Sequence, residues 1–223
     1  MSDDSFIREV DEELRSDQFK GFWAKYKWFI IGAAVAIVLA TGGYRAWDYY
    51  TLQAAGESGD RFIEAIERSN EGKHEEAIAI LEQLGKDGVG EYPALANIRL
   101  AAELAKQGNI DDAIEAFDQI AGDSGFNETL RNVARLRAGL LLVDHGSYEE
   151  VTERLQTMAN TGQPFRHSSR EGLGLSAWKH NKLEDAHRWF TAISQDIEAP
   201  GGIRSRATIM LELLAGKGIT GQT

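Results

Sequence analysis

A ten-residue pattern occurs four times between residues 72 and 190 and constrains the fold more than any other feature of the chain. Each copy begins with Gly or Asn, continues with two adjacent acidic residues and a small or β-branched residue, and ends on a bulky apolar residue. The successive copies begin 36, 38 and 35 residues apart, a period that predicts stacked units of paired helices. The copies begin at Gly72, Gly108, Gly146 and Asn181.

Each recurring position has a role in a pair of packed helices. The initial Gly or Asn adopts a left-handed backbone at low cost, so we expect it to end a first helix at each of the four turns. The acid pair then falls in the first turn of a second helix, where the helix dipole favours negative charge. A small residue seven positions before each turn predicts close contact between the two helices. These small residues are Ala65, Ala101, Gly139 and Gly174.

The segments between the copies also favour an all-α fold. Proline or a glycine cluster separates the units at Pro93, at residues 122–125, at Pro164 and at Pro200. A final apolar helix over residues 203–214 would cover the open end of the stack, as terminal units of repeat arrays must. We therefore predict an α-solenoid of about four helical hairpins, resembling tetratricopeptide repeats in its period, with a C-terminal capping helix.

Residues 28–44 form the longest uncharged segment, with 17 residues. A helix that crosses a bilayer needs roughly 17 to 25 residues, and aromatic residues flank this segment on both sides as they do in spanning helices. A cleaved signal peptide is the alternative, but the 27-residue leader is long and acid-rich for one. We predict an uncleaved transmembrane anchor over residues 28–47.

The charged residues around the anchor predict its orientation. Lys20, Lys25 and Lys27 precede it, whereas Arg45 is alone on the other side and is soon followed by Asp48. The positive-inside rule then places residues 1–27 in the cytoplasm and the repeat domain, residues 48–223, across the membrane.

Two further patterns concern the N-terminal part. Gly32, Ala36 and Ala40 recur every four residues, which allows a second membrane helix to pack closely, although composition alone also produces such stripes. Residues 1–27 contain a short amphipathic helix that either docks on a protein partner or frays in solution. Its apolar face consists of Phe6, Ile7, Val10 and Leu14.

The composition argues against nucleic-acid binding and against catalysis. Lys and Arg number 24 and Asp and Glu 35, and a net charge of −11 does not favour phosphate backbones. The absence of cysteine excludes disulfides and thiolate metal sites. No metal-binding His spacing, phosphate-binding loop or serine nucleophile motif occurs, and the acid pairs lie on separate helices. We expect no catalytic residue, cofactor, metal or small-molecule substrate.

A binding surface is the remaining basis for function. If the first helices line the concave side of the solenoid, nine apolar residues form a groove for an amphipathic helix or an unfolded segment. Apolar residues at helical spacing are more often core, so a purely structural role is the alternative. The nine residues are Phe62, Ile66, Leu95, Ile98, Leu136, Leu140, Val143, Leu175 and Trp178.

Two resemblances extend this interpretation. The turns and the A-x-x-x-F spacing of the second helices, as in Ala113 and Phe117, resemble the tetratricopeptide repeat over residues 57–196. With its single anchor and its opening residues 6–15, the whole chain resembles the YfgM-type ancillary subunits of the bacterial Sec translocon. This second resemblance implies an inner-membrane protein with a periplasmic repeat domain that associates with the SecYEG channel and a PpiD-like membrane-anchored chaperone. No catalytic residue belongs to the family pattern.

We therefore expect a non-enzymatic, single-pass membrane protein that binds unfolded or translocating proteins near the translocon and helps to hand them to periplasmic chaperones. The alternative is a repeat scaffold that coordinates envelope assembly or cell division, because a repeat groove does not by itself define its partner.

Overall fold

The computed structural model describes the backbone of residues 3–220 and the side chains of residues 25–220. Within these residues the regular secondary structure is entirely helical, so the predicted all-α fold is confirmed. The predicted amphipathic face of Phe6, Ile7, Val10 and Leu14 lies outside the residues whose side chains are described. The helices are α1 (Asp3–Asn70), α2 (His74–Asp87), α3 (Tyr92–Lys106), α4 (Ile110–Gly122), α5 (Glu128–His145), α6 (Tyr148–Leu155), α7 (Arg166–Lys179), α8 (Leu183–Ser194) and α9 (Gly201–Gly216), with a short 3-10 helix at Thr157–Ala159.

The chain divides into two compact units, Met1–Ala54 and Ala55–Thr223. The part of α1 over Lys25–Asn70 is long and apolar enough to cross a membrane, with a mean hydropathy of 1.7 in its most apolar window and none of that window buried in the protein. Its large side chains are open to the surroundings, with Phe29 82% and Trp47 72% exposed. The close packing of Gly32, Ala36 and Ala40 against another membrane helix remains a prediction.

The second unit consists of successive helical hairpins. The first helices are the part of α1 from Ala55, then α3, α5 and α7, and the second helices are α2, α4, α6 and α8. As predicted, each second helix has its acid pair in the first turn, and its small and bulky pattern residues are at most 1% exposed. These buried residues are Ala77, Leu81, Ala113, Phe117, Val151, Leu155, Ala186 and Phe190.

The predicted small residues of the first helices are also buried, and two of them leave no room for a side chain. A Cβ at Gly174 would lie 2.8 Å from Cζ of Phe190, and one at Gly139 would lie 2.4 Å from Cδ2 of Leu155. In these two hairpins the small position of the first helix therefore packs against the bulky position of its own second helix. In each of the other two, the corresponding residues share one apolar cluster, Ala65 with Leu81 and Ala101 with Phe117. This contact explains why the two positions recur together.

Three of the four turns have the predicted left-handed residue. The φ angles are 79° at Gly72, 86° at Gly108 and 57° at Asn181. In each turn the next residue donates its N–H to a carbonyl five residues back, as in Lys73 to Arg68 at 2.9 Å. The same turn recurs after α9, where φ is 84° at Gly218 and Ile219 donates to Leu214 at 3.0 Å.

The prediction of a left-handed backbone at Gly146 is wrong. Its φ is −111°, and α6 begins with a capping box in which Ser147 and Glu150 bond each other's backbone N–H through their side chains. The capping box satisfies the free donors of the helix without a left-handed residue. Gly146 is small for a packing reason instead, because a Cβ there would lie 2.5 Å from Cδ2 of Leu142.

The final helix α9 includes the predicted residues 203–214 and packs on the last hairpin. Ala207 and Leu214 are at most 1% exposed and lie in one apolar cluster with Ala177, Ala186 and Phe190. Helix α9 therefore covers one side of the last hairpin, as expected of a terminal helix.

Replacing Gly174 by alanine tests the contact with Phe190. The new methyl group has to displace a buried ring, so the Gly174→Ala variant is expected to lose about 1–3 kcal/mol of unfolding free energy. Gly122→Ala is the matched control, because nothing lies within 4 Å of a Cβ at this exposed position. Denaturant unfolding measures the free energy of unfolding of both variants. A Gly174→Ala variant as stable as the control would contradict the close contact between Gly174 and Phe190.

Candidate protein-binding surface

The nine predicted groove residues differ in burial. Leu136 and Val143 are each 9% exposed and belong to the core cluster around Leu155 and Leu173. Leu95 and Leu175 are each 36% exposed and are the most accessible of the nine. The remaining five are half-buried: Phe62, Ile66, Ile98, Leu140 and Trp178. Binding by these residues remains a prediction, and Leu95 and Leu175 have the most surface to offer a partner.

A buried carboxylate fixes the first hairpin to α3. The Glu103 side chain is fully buried, accepts a hydrogen bond from Ser69 Oγ at 2.7 Å and lies 2.8 Å from the Arg99 guanidinium. Lys106 Nζ is 3.0 Å from the same oxygen, and His74 Nδ1 is 3.1 Å from the other. Because Ser69 lies in the last turn of α1 and His74 begins α2, this cluster joins three helices at one point.

The surroundings of Glu103 favour its charged form. Burial raises the pKa of this carboxyl, but hydrogen bonds from Ser69, Lys106 and His74 lower it by more than burial raises it. The pKa of Glu103 therefore lies below its ordinary value. The carboxylate is therefore charged at neutral pH.

A second carboxylate organises the other end of the domain. Asp196, in the loop before α9, lies 3.0 Å from Arg166, 2.9 Å from His167 and 3.1 Å from Arg170. Hydrogen bonds led by that from Arg166 lower the pKa of Asp196 well below its ordinary value, although burial opposes them. Arg170 also donates to the Ala159 carbonyl at 2.9 Å. The cluster thus joins α7 to the 3-10 helix that precedes it and to the loop between α8 and α9.

Ion pairs between residues about one repeat apart join helices of neighbouring units. Arg154 on α6 binds Asp118 on α4 through two nitrogens, at 3.1 Å and 2.6 Å. Arg206 on α9 binds both oxygens of Glu171 on α7, at 2.6 Å and 2.9 Å. Such paired geometry orients the helices as well as attracting them.

Sequence reasoning missed both carboxylate clusters. The repeat pattern carries no signal for Glu103, because the same position, five residues before the turn, is the exposed Glu67 in α1, Leu141 in α5 and Ser176 in α7. Asp196 has no sequence signal either, since its partners converge through a loop. Among residues 25–220, no group of three or more His, Asp or Glu side chains is placed to hold a metal ion.

These features define a helical repeat protein with one helix apolar enough to span a membrane. The model of the tetratricopeptide repeat-like domain family matches residues 20–214. The match covers most of the chain, so the chain belongs to this family. Comparison with the curated proteins and with the solved structures gave no match.

The Glu103→Gln variant tests the cluster at the first hairpin. It removes the charge that holds Arg99 and Lys106, and the expected loss is about 1.5–3 kcal/mol of unfolding free energy at pH 7. Because the folded pKa is lowered, this stability is present above the unfolded pKa near 4.5 and is lost as the pH falls through the folded value.

Thermal unfolding of the wild type and the Glu103→Gln variant between pH 7 and pH 3 measures the difference in stability between them at each pH. The wild-type and variant curves are expected to converge in acid, whereas the control Glu82→Gln, on the exposed side of α2, keeps the wild-type profile. Curves that stay parallel across the whole range contradict the assignment.

Proposed function

We propose that this protein is a membrane-anchored scaffold that binds other proteins through the surface of its first helices. Membership of the tetratricopeptide repeat-like family supports this proposal, because such domains are generally protein-binding scaffolds without enzymatic activity. The most direct structural support is Leu175, a large apolar side chain that stays 36% exposed among the buried residues of α7.

The surroundings of Leu175 suit a protein ligand. Leu140 and Trp178 are half-buried on the neighbouring surface of α5 and α7, and Leu95 offers a similar side chain on α3. Apolar patches with polar rims are typical of protein interaction sites. An amphipathic helix or an unfolded segment fits such a surface through its apolar side chains.

The proposed membrane arrangement follows from the charges around the anchor. Residues 1–27 lie in the cytoplasm, residues 28–47 cross the bacterial inner membrane, and residues 48–223 form a periplasmic domain. The basic flank of Lys20, Lys25 and Lys27 supports this orientation. The exposed apolar surface of α1 supports the anchor itself.

The proposed role is to associate with the Sec translocon and to help hand translocated proteins to periplasmic chaperones. The resemblance of the whole chain to YfgM-type subunits supports this role and names the expected partners, SecYEG and a PpiD-like chaperone. The exposed apolar positions on α3 and α7 are compatible with clients that have not yet folded.

Single-cysteine crosslinking in cells tests this role. The chain has no cysteine, so a Leu175→Cys variant carries one thiol for a photo-crosslinker. We expect it to capture translocon components and newly exported proteins. The control is Arg188→Cys on α8, where the native side chain is 64% exposed.

Equal capture at both positions would contradict binding by the first helices. Capture of envelope-assembly or division proteins alone would contradict the translocon role and favour the coordinating scaffold.

A further inference from the structure

Charge is divided unequally between the second helices and the helices α3, α5, α7 and α9. The part of α1 from Ala55 does not share the basic excess, because it holds two Arg and four Asp or Glu residues. Helices α3, α5, α7 and α9 together hold ten Lys or Arg residues and five Asp or Glu residues. The second helices α2, α4, α6 and α8 hold three basic and thirteen acidic residues. Eight of those thirteen are the acid pairs at helix N-termini, which have a structural role. Ion pairs or carbonyl contacts occupy most cations of the other set, but Arg137 has no ion pair within the described residues and Lys179 has no carboxylate partner there.

The strip of α7 that includes exposed Leu175 lies between α5 and α9. Glu171, Leu175 and Lys179 are four residues apart and therefore share one side of the helix. Glu171 is bound by Arg206 of α9 at 2.6 Å. At the other end of the strip, Lys179 Nζ donates to the backbone carbonyls of residues 143 and 144 at the end of α5. Leu175 is thus bordered by both neighbouring helices.

Apolar side chains continue from this strip onto both neighbours. On α9, Ile209 is 56% and Leu213 is 50% exposed, and they follow Arg206 by three and seven residues on the same side of the helix. On α5, half-buried Leu140 follows exposed Arg137 by three residues. We call this surface the C-terminal face; its apolar residues are Leu140, Leu175, Ile209 and Leu213.

The cations of the C-terminal face exceed its carboxylates. Arg137 has no ion pair within the described part of the chain, and Lys179 is bound only to carbonyl oxygens. Lys217, in the turn after α9, lies 4.8 Å from the centre of the Trp178 ring instead of beside an acid. With Arg206, these make four cations against three carboxylates, namely Asp144, the exposed Glu212 beside Leu213, and the already paired Glu171.

We propose that the C-terminal face binds acidic amphipathic helices, whose apolar side meets Leu175, Ile209 and Leu213 and whose Asp or Glu residues meet Arg137, Lys179 and Lys217. The inference rests on the proposed protein-binding function and adds the chemical class of the partner. Screening over about 8 Å at physiological ionic strength lets these local cations outweigh the acids of the second helices. Helix α9 then acts as a part of the binding surface in addition to covering the last hairpin.

Peptide binding to the full chain in zwitterionic lipid nanodiscs tests this inference. The probes are three fluorescent 18-residue amphipathic peptides with the same leucine face and with Glu, Gln or Lys on the polar face, and empty nanodiscs are the blank. We expect the Glu peptide to bind about tenfold more tightly than the Lys peptide, a difference of about 1.4 kcal/mol, and the preference to shrink as salt increases.

Charge reversal locates the site. The Arg137→Glu variant is expected to bind the Glu peptide about threefold more weakly. The double variant Arg137→Glu with Lys179→Glu is expected to bind it more weakly still. Arg188→Glu makes the same change of charge on α8 and is expected to leave the affinity unchanged. Arg137 is exposed and has no ion pair or side-chain hydrogen bond within residues 25–220, so the single variant remains informative if the double variant unfolds.

The outcomes separate the two proposals. Equal affinity for all three peptides, lost in a Leu175→Glu variant, contradicts the acidic preference and leaves the protein-binding function intact. A preference for the Lys peptide likewise contradicts the inference. Binding of no peptide, or binding that neither Leu175→Glu nor Arg137→Glu changes, contradicts the proposed function of this surface as well.

Discussion

The contact between a small residue of the first helix and a bulky residue of the second is the interaction on which each hairpin depends. At Gly174 and Phe190, and at Gly139 and Leu155, the distances leave no space for even one methyl group. Two helices that approach so closely bury their facing sides completely, which keeps the hairpin rigid enough to stack. The outward sides of the helices are then free to differ from one unit to the next, and there the chain has its exposed leucines and its excess cations.

The two sides of the stack have different tasks. Acid pairs stabilise the N-termini of the second helices, and their repetition makes that side strongly negative. Among the first helices, α5 and α7 hold six Lys or Arg residues and three Asp or Glu residues. Arg137 and Lys179 on these two helices have no carboxylate partner within residues 25–220. A partner therefore meets an apolar, basic surface on one side and an acidic surface on the other.

Much of the fold could be predicted from the sequence because the pattern repeats, and each copy confirms the meaning of the others. The turns at Gly72, Gly108 and Asn181 followed from backbone sterics alone. Gly146 does not have the expected left-handed backbone, because Ser147 and Glu150 form a capping box that begins α6 without it. Leu136 and Val143 are buried because neighbouring first helices pack against each other, which helical spacing within one segment does not reveal. The convergence on Asp196 depends on loop geometry and had no sequence signal.

Hydrogen exchange across the full chain, with and without an acidic amphipathic peptide, tests most directly whether the protein acts through the surface of its first helices. The account predicts slower amide exchange in α5, α7 and α9 when the peptide is bound, with α4, α6 and α8 exchanging as before. Protection concentrated in α4, α6 and α8 would contradict it.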